Sequence, residues 1–300
     1  MTASNPYRDE SHARPGGLPP GDAYLDSAAQ LMNRIGSQLG TRLGLVSLDG
    51  TRRPAPPALV LVAHGSRDPR ALATVRTLVE RVRELRPLLP VRLGHIELNE
   101  PLLPDTLASL GDGRAVLVPL LLGRGHHVKR DIPEAAAAAR ADTRVAAPLG
   151  PHPLLVETLY ARLVEAGWRT TLSDAQRRAS AVVLAAAGSR DPDSAADTRR
   201  TARLLAERLG VPVVPAYASA ATPTVAGAVR ALTARGRHRI AVASYFAAPG
   251  RFAAECAGAA PWIAAAPLGA HPAMARLVLH RYAQTLAAPE AAAEHALTSA

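Results

Sequence analysis

ALVLVAHGSRDP (58–69) and AVVLAAAGSRDP (181–192) are one segment written twice. Each opens with an unbroken apolar run, as a strand buried on both faces of a parallel sheet does. Each then turns at a glycine into Ser-Arg-Asp-Pro, an N-terminal helix signature. A second pair, AAPLGPHP (146–153) and AAPLGAHP (265–272), repeats the relation. The first pair lies 123 residues apart and the second 119. The chain therefore duplicates a unit of about 110 residues, joined near 168–180.

Further apolar runs fall at 91–96, 115–122 and 144–147 in the first copy, and at 181–186, 211–217, 239–246 and 262–265 in the second. Helical patterning covers 70–86, the intervals between the runs, and the stretch after Pro153. This alternation predicts an α/β fold: two parallel-sheet lobes with helices on both faces and right-handed crossovers. The expected organisation is an arm and linker at 1–57, a first lobe at 58–168, a second at 179–287 and a tail at 288–300. Within the arm, residues 1–20 are rich in Pro, Gly and polar residues and read as disordered. Leu25, Ala28, Met32, Ile35 and Leu39 suggest a short helix over 24–45, and the segment 51–57 a linker.

Composition narrows the classes. No apolar stretch is long enough to predict a membrane helix. The first fifteen residues carry Arg8, Asp9, Glu10 and Arg14 without an apolar core, which argues against a secretory signal. Cys256 is the sole cysteine, so no internal disulfide forms and the cytoplasm is the expected compartment. The formal charge is +10, almost all of it arginine; Lys129 is the only lysine. Aromatic residues are 3% and no nucleic-acid motif occurs, so a nucleic-acid partner is not expected, whereas a small polycarboxylate is compatible with the charge.

The duplication supplies an internal comparison. Gly-Ser-Arg-Asp-Pro persists in both copies, and so do His152 and His271, each before a helix-starting proline. Features that both copies keep are expected to serve folding. Ser66, Asp68, Ser189 and Asp191 suit capping of backbone amides. By contrast, His64 becomes Ala187 in the second copy, and His126 and His127 fall on Arg251 and Phe252. GHIELNEP (94–101) falls on PAYASAATP (215–223), so both glutamates vanish. The joint loss is what a degenerate second site would look like.

Ligands in such folds bind beyond the carboxyl ends of the strands, where His64, Glu97 and the 123–127 loop all fall. Two imidazoles and a carboxylate can hold a first-row metal loosely and can accept protons near neutral pH. Metal insertion into a macrocycle needs both properties, because two pyrrole protons leave as the metal enters. No H-E-x-x-H or C-x-x-C occurs, which argues against a zinc protease or a structural zinc site. Arg67, Lys129 and Arg130 flank the expected crevice and can pair with ligand carboxylates. Gly123, Gly125 and Gly250 suit close approach to a flat ligand.

Taken in order, AHGSRDP (63–69), GHIELNEPLLPDTL (94–107), VPLLLGRGHHVKRDIP (118–133) and PLGPHPLL (148–155) closely resemble the class II chelatases of sirohydrochlorin, in their long, two-lobe form. The resemblance is strong over 58–167 and weak over 181–287. It implies flavodoxin-like lobes with the site in a cleft, and one two-lobed monomer. The histidine of the family's H-G-S motif falls on His64, the acid of E-L-x-E-P on Glu97, and the histidine of G-x-H-V-K-x-D-I-P on His127. These three are the implied catalytic and metal-binding residues; His126 flanks them. The implied reaction inserts Fe²⁺ or Co²⁺ into an acidic tetrapyrrole of the sirohydrochlorin type and releases two protons, toward siroheme or cobalamin. The metal enters as substrate and no cofactor is permanently bound. The second lobe departs from the pattern by lacking both histidines, leaving one working site in the first. Two readings compete. One is a metal or tetrapyrrole carrier that performs no insertion. The other is phosphoryl transfer of the histidine-phosphatase kind, suggested by H-G-x-R but lacking an arginine before the histidine, where Ala63 stands.

Overall fold

The computed structural model describes residues 55–289. The arm, the 24–45 helix, most of the 51–57 linker and most of the tail lie outside the described residues. The first copy runs β1 (Ala58–Ala63), α1 (Pro69–Leu85), β2 (Val91–His95), α2 (Leu103–Ala108), β3 (Arg114–Pro119), a π-helical turn (His127–Asp131) continuous with α3 (Ile132–Ala137), β4 (Asp142–Val145) and α4 (Pro153–Glu165). A short connecting helix, α5 (Asp174–Ala179), follows. The second copy runs β5 (Ser180–Ala186), α6 (Pro192–Leu209), β6 (Val213–Tyr217), α7 (Val225–Ala234), β7 (Arg239–Tyr245), α8 (Arg251–Gly258), β8 (Ile263–Ala264) and α9 (Pro272–Ala287).

The strands form two four-stranded parallel sheets of identical order, β2-β1-β3-β4 and β6-β5-β7-β8. Every residue of β1 and β5 is buried, as their continuous apolar composition requires of central strands. Strand order reverses direction between β1 and β3, so the segments leaving those strands splay apart and open a crevice.

The repeated motif acts as expected. Asp68 accepts from the Arg70 amide at 2.9 Å, and Ser66 Oγ from the Asp68 amide at 3.1 Å. In the second copy, Asp191 accepts from Asp193 N at 2.9 Å and Ser189 from Asp191 N at 3.1 Å. His152 and His271 are the N-caps of α4 and α9, with Nδ1 accepting from Leu154 N at 3.1 Å and Ala273 N at 3.2 Å. Replacing a side-chain cap of this kind typically costs about 0.5–2 kcal/mol.

Two features differ from the sequence reading. The 115–122 run leaves its sheet at Pro119, and Leu120, Leu121 and Leu122 line the interlobe cleft instead. The 168–180 connection contains α5, started by a capping box between Ser173 and Gln176.

The last helix of each copy packs on the other copy. α4 lies against β7 and α6, while α9 lies against β3 and α1, and the two cross each other. The exchange is symmetric in its bonds: Arg162 of α4 donates to Leu268 O at 3.0 Å, and Arg281 of α9 to Leu149 O at 3.3 Å. The facing sides of both sheets and the helices between them thus share one apolar core, running from Leu59 and Leu61 through Leu155 and Leu159 to Val182, Leu184, Leu277 and Val278. Each fully buried leucine contributes about 1.5–3 kcal/mol relative to exposure, so the exchange makes each lobe's stability depend on the other.

Candidate metal-handling cleft

A cleft of about 540 Å³ opens between the lobes, beyond the carboxyl ends of β1, β3, β5 and β7. One wall carries His64, Ser66, His95, Asn99, Gly125, His126 and His127; the other is made by Ala186–Ser189, Ser194, Thr198 and Tyr245–Pro249. Its size suits a small-molecule ligand.

Backbone pairing brings the first two candidates together. Beyond β1 and β2, Glu97 N donates to His64 O at 3.0 Å. The turn is sharpened by Leu98, whose φ of 67° is left-handed. Gly65, at φ 103°, leaves no room for a side chain, because a Cβ there would collide with the Glu97 carbonyl. The second lobe repeats the frame: Ser219 N donates to Ala187 O at 3.0 Å, Ala220 has φ 57°, and Gly188 lies against the Ser219 carbonyl. Only the side chains differ.

On this frame His64 Nε2 lies 3.3 Å from Glu97 Oε1. The His127 ring stands with its centroid 4.7 Å from that of His64. The three candidates are thus neighbours: His64 and His127 line the cleft, and Glu97 stands half-exposed against His64, outside that lining. Burial, then the neighbouring His127, lowers the His64 pKa below 6.5, outweighing Glu97 and Asp131. His64 is accordingly neutral at pH 7, able to accept a proton or a metal.

Two residues, Asp131 and Asn99, were missed. His127 Nδ1 meets Asp131 Oδ2 at 2.5 Å, and His126 Nε2 lies 3.5 Å from the other oxygen. Against a carboxylate Nδ1 is the donor, which leaves Nε2 as the His127 ring nitrogen outside the pairing. The signal was the i, i+4 spacing of His127 and Asp131, hidden because 123–127 reads as a loop. Asn99 Oδ1 accepts from the Ser66 amide at 2.7 Å and ties the β2 turn to the β1 turn.

Other expectations fare differently. Gly125 lines the cleft, with Ser189 Oγ 3.8 Å from where its Cβ would stand. Gly123 also lines the cleft, with Asp197 Cβ and Oδ2 each 3.5 Å from where its Cβ would stand. Lys129 is turned away from a ligand role: its ammonium is held by Asp191 and Asp193 of the other lobe, at 2.9 Å and 2.7 Å. Arg67 and Arg130 are exposed. Among the described residues, no arginine or lysine lines the cleft. Among those same residues, no group of three or more His, Cys, Asp and Glu forms a ready metal cage. The arrangement is instead open and engaged internally, His64 with Glu97 and His127 with Asp131. No helix among the described residues is long and apolar enough to cross a membrane.

Fold and cleft together define a two-lobed protein of the chelatase type. The CbiX family model matches it twice, at residues 58–166 and 181–285, and the chain belongs to the CbiX family. A sirohydrochlorin cobaltochelatase of Methanococcus aeolicus is 39% identical over 80 residues, which cover 26% of this chain and 56% of that relative. A sirohydrochlorin ferrochelatase of Bacillus subtilis is 29% identical over 175 residues, covering 55% of this chain and 64% of the relative. The chain thus spans somewhat more than half the length of these curated relatives. Among solved structures, SirB from Bacillus subtilis with Fe³⁺ superposes with a TM-score of 0.61 at 23% identity, covering 77% of this chain and 96% of that one, a likeness of fold.

Proposed function

We propose that the chain is a sirohydrochlorin chelatase, inserting Fe²⁺ or Co²⁺ into the tetrapyrrole with release of two protons. The observation that carries this reading is the grouping of His64, Glu97 and His127 in one lobe of a duplicated frame that bears Ala187, Ser219 and Phe252 at the matching places of the other. Membership of the CbiX family and relatives named for this activity support it.

The roles follow from the contacts. Nε2 of His127, with Nδ1 committed to Asp131, presents the metal to the macrocycle. Neutral His64 accepts the two pyrrole protons one after the other and passes each to Glu97, whose half-exposed carboxylate releases it to water. The lack of a closed cage suits a metal that must be handed on. Arg67, next in the chain to the cleft-lining Ser66, and Arg130 serve the substrate carboxylates at the rim. Lys129 does not. The soluble two-lobed chain acts as a monomer with its metal as substrate.

The test is the absorbance of sirohydrochlorin mixed with Co²⁺ or Fe²⁺ and the protein. Metallation should be accelerated, and His64→Ala or His127→Ala should each slow it by at least about 100-fold, the scale of a lost acid–base group, with unchanged unfolding midpoints. Binding of both ligands without acceleration would instead establish a carrier.

A further inference from the structure

We propose that the second lobe, having lost the chemistry, positions it: Asp197, with Asp191 and Asp193, pins the 122–129 loop so that His127 is held facing His64. The proposal rests on the reading of His127 as a metal-handling residue.

The loop is anchored to the other lobe along its length. Tyr245 OH donates to Leu122 O at 2.9 Å. Asp197 accepts from the Arg124 amide at 3.0 Å and from its guanidinium at 3.1 and 2.9 Å. Gly123 packs on the same carboxylate, with Asp197 Cβ and Oδ2 each 3.5 Å from where its Cβ would stand. Beyond the histidines, Lys129 Nζ bonds Asp191 at 3.0 Å and Asp193 at 2.7 Å. His126 and His127 therefore sit between two cations, both fastened to the start of α6.

Asp197 is 4% exposed. Burying a carboxylate is costly unless it is paired and hydrogen-bonded, and among the described residues the donors to it all belong to the loop residue Arg124.

General cohesion between the lobes does not account for these bonds. That task falls to the exchanged helices, whose contacts are symmetric, Arg162 to Leu268 and Arg281 to Leu149. The loop anchors are one-sided. Arg124 and Lys129 correspond to Pro249 and Ala254, and Asp193 and Asp197 to Arg70 and Thr74. Thus the half that kept histidines kept the cations beside them, and the half that lost histidines supplies the buried acid. Among the described residues, no such bonds run from α1 to the loop of the second lobe.

Asp197→Thr and Lys129→Ala each import the residue that the chain already tolerates at the matching place. Three readings are made on the full chain: hydrogen exchange of the amides, Co²⁺ titration followed by its visible absorption without tetrapyrrole, and insertion rate. We expect amides in 120–131 to exchange about tenfold faster while those of α4 and α9 stay unchanged. Co²⁺ affinity and insertion should fall together by about 10–100-fold, the range for lost support of a metal-binding histidine, and Asp197→Glu should recover part of both. Unchanged exchange in 120–131 overturns the pinning. Faster exchange with unaltered Co²⁺ affinity and spectrum overturns its role in positioning His127. If the unaltered protein shows no Co²⁺ spectrum sensitive to His127→Ala, the metal reading fails and this inference with it, whereas pinning of the loop is still decided by the exchange.

Discussion

The two capping histidines make stability depend on pH in a calculable way. His152 Nδ1 accepts from Leu154 N, so protonation replaces the acceptor by a donor and breaks the cap. Burial, then Arg281 and His280, pulls its pKa from 6.5 down to about 4. The folded value lies below the unfolded one, so between these limits the unfolded chain binds more protons. The contribution of His152 is therefore complete above pH 6.5 and is lost as pH falls toward 4. At 1.36 kcal/mol per pH unit the difference would be about 3 kcal/mol. The ring is only partly buried, and solvent screening reduces the expectation to about 1–2 kcal/mol. For a protein of this size that corresponds to a melting temperature lower by about 2–8 °C. The assay is urea unfolding between pH 7.5 and 4.5 for the parent chain and for His152→Asn, whose side chain caps without titrating. Other histidines, His271 and His95 among them, have lowered pKa values and contribute in the same window. The decisive quantity is therefore the difference between the two curves. That difference should change by about 1–2 kcal/mol between pH 6.5 and 4.5. Parallel curves would refute the argument that the cap titrates.

Two further outcomes follow from the frame. Gly65→Ala should destabilise the chain by about 1–3 kcal/mol, because a left-handed residue acquires a Cβ in collision with the Glu97 carbonyl. Gly188→Ala should cost a similar amount. Only the first should abolish insertion at temperatures where both variants remain folded, and equal losses of activity would contradict a site confined to the first lobe. Tyr245→Phe removes the donor to the Leu122 carbonyl, while the Thr201 hydroxyl keeps its bond to Asp197 O. It should lower stability by about 1–2 kcal/mol by denaturant titration, and a change below 0.3 kcal/mol, roughly the error of such measurements, would show that the bond to Leu122 does not anchor the loop.

What was legible in the sequence was local or duplicated. Asp68 caps the amide two residues on, so Ser-Arg-Asp-Pro announces both strand end and helix start, and its recurrence at 189–192 gives the second lobe. His64 and Glu97 could be brought together because each follows a strand of a parallel sheet, and parallel neighbours end on the same side. Partners across lobes could not be read. An apolar stripe on α4 or α9 says that a face must be buried without saying whose sheet buries it, and here the answer is the other copy's. In the same way, the charge on Lys129 called for an anion without naming it. A ligand carboxylate and Asp191 with Asp193 satisfy that call equally at the level of sequence, and only the geometry decides for the aspartates. The consequence reaches function. Duplication lets one copy lack the imidazoles without lacking the frame, and other positions of that copy, those matching Arg70 and Thr74, carry acids that brace the copy holding them. Degeneration of one lobe and organisation of the other can thus be two sides of the same set of substitutions, with Asp197 and Arg124 the pair in which this is most direct.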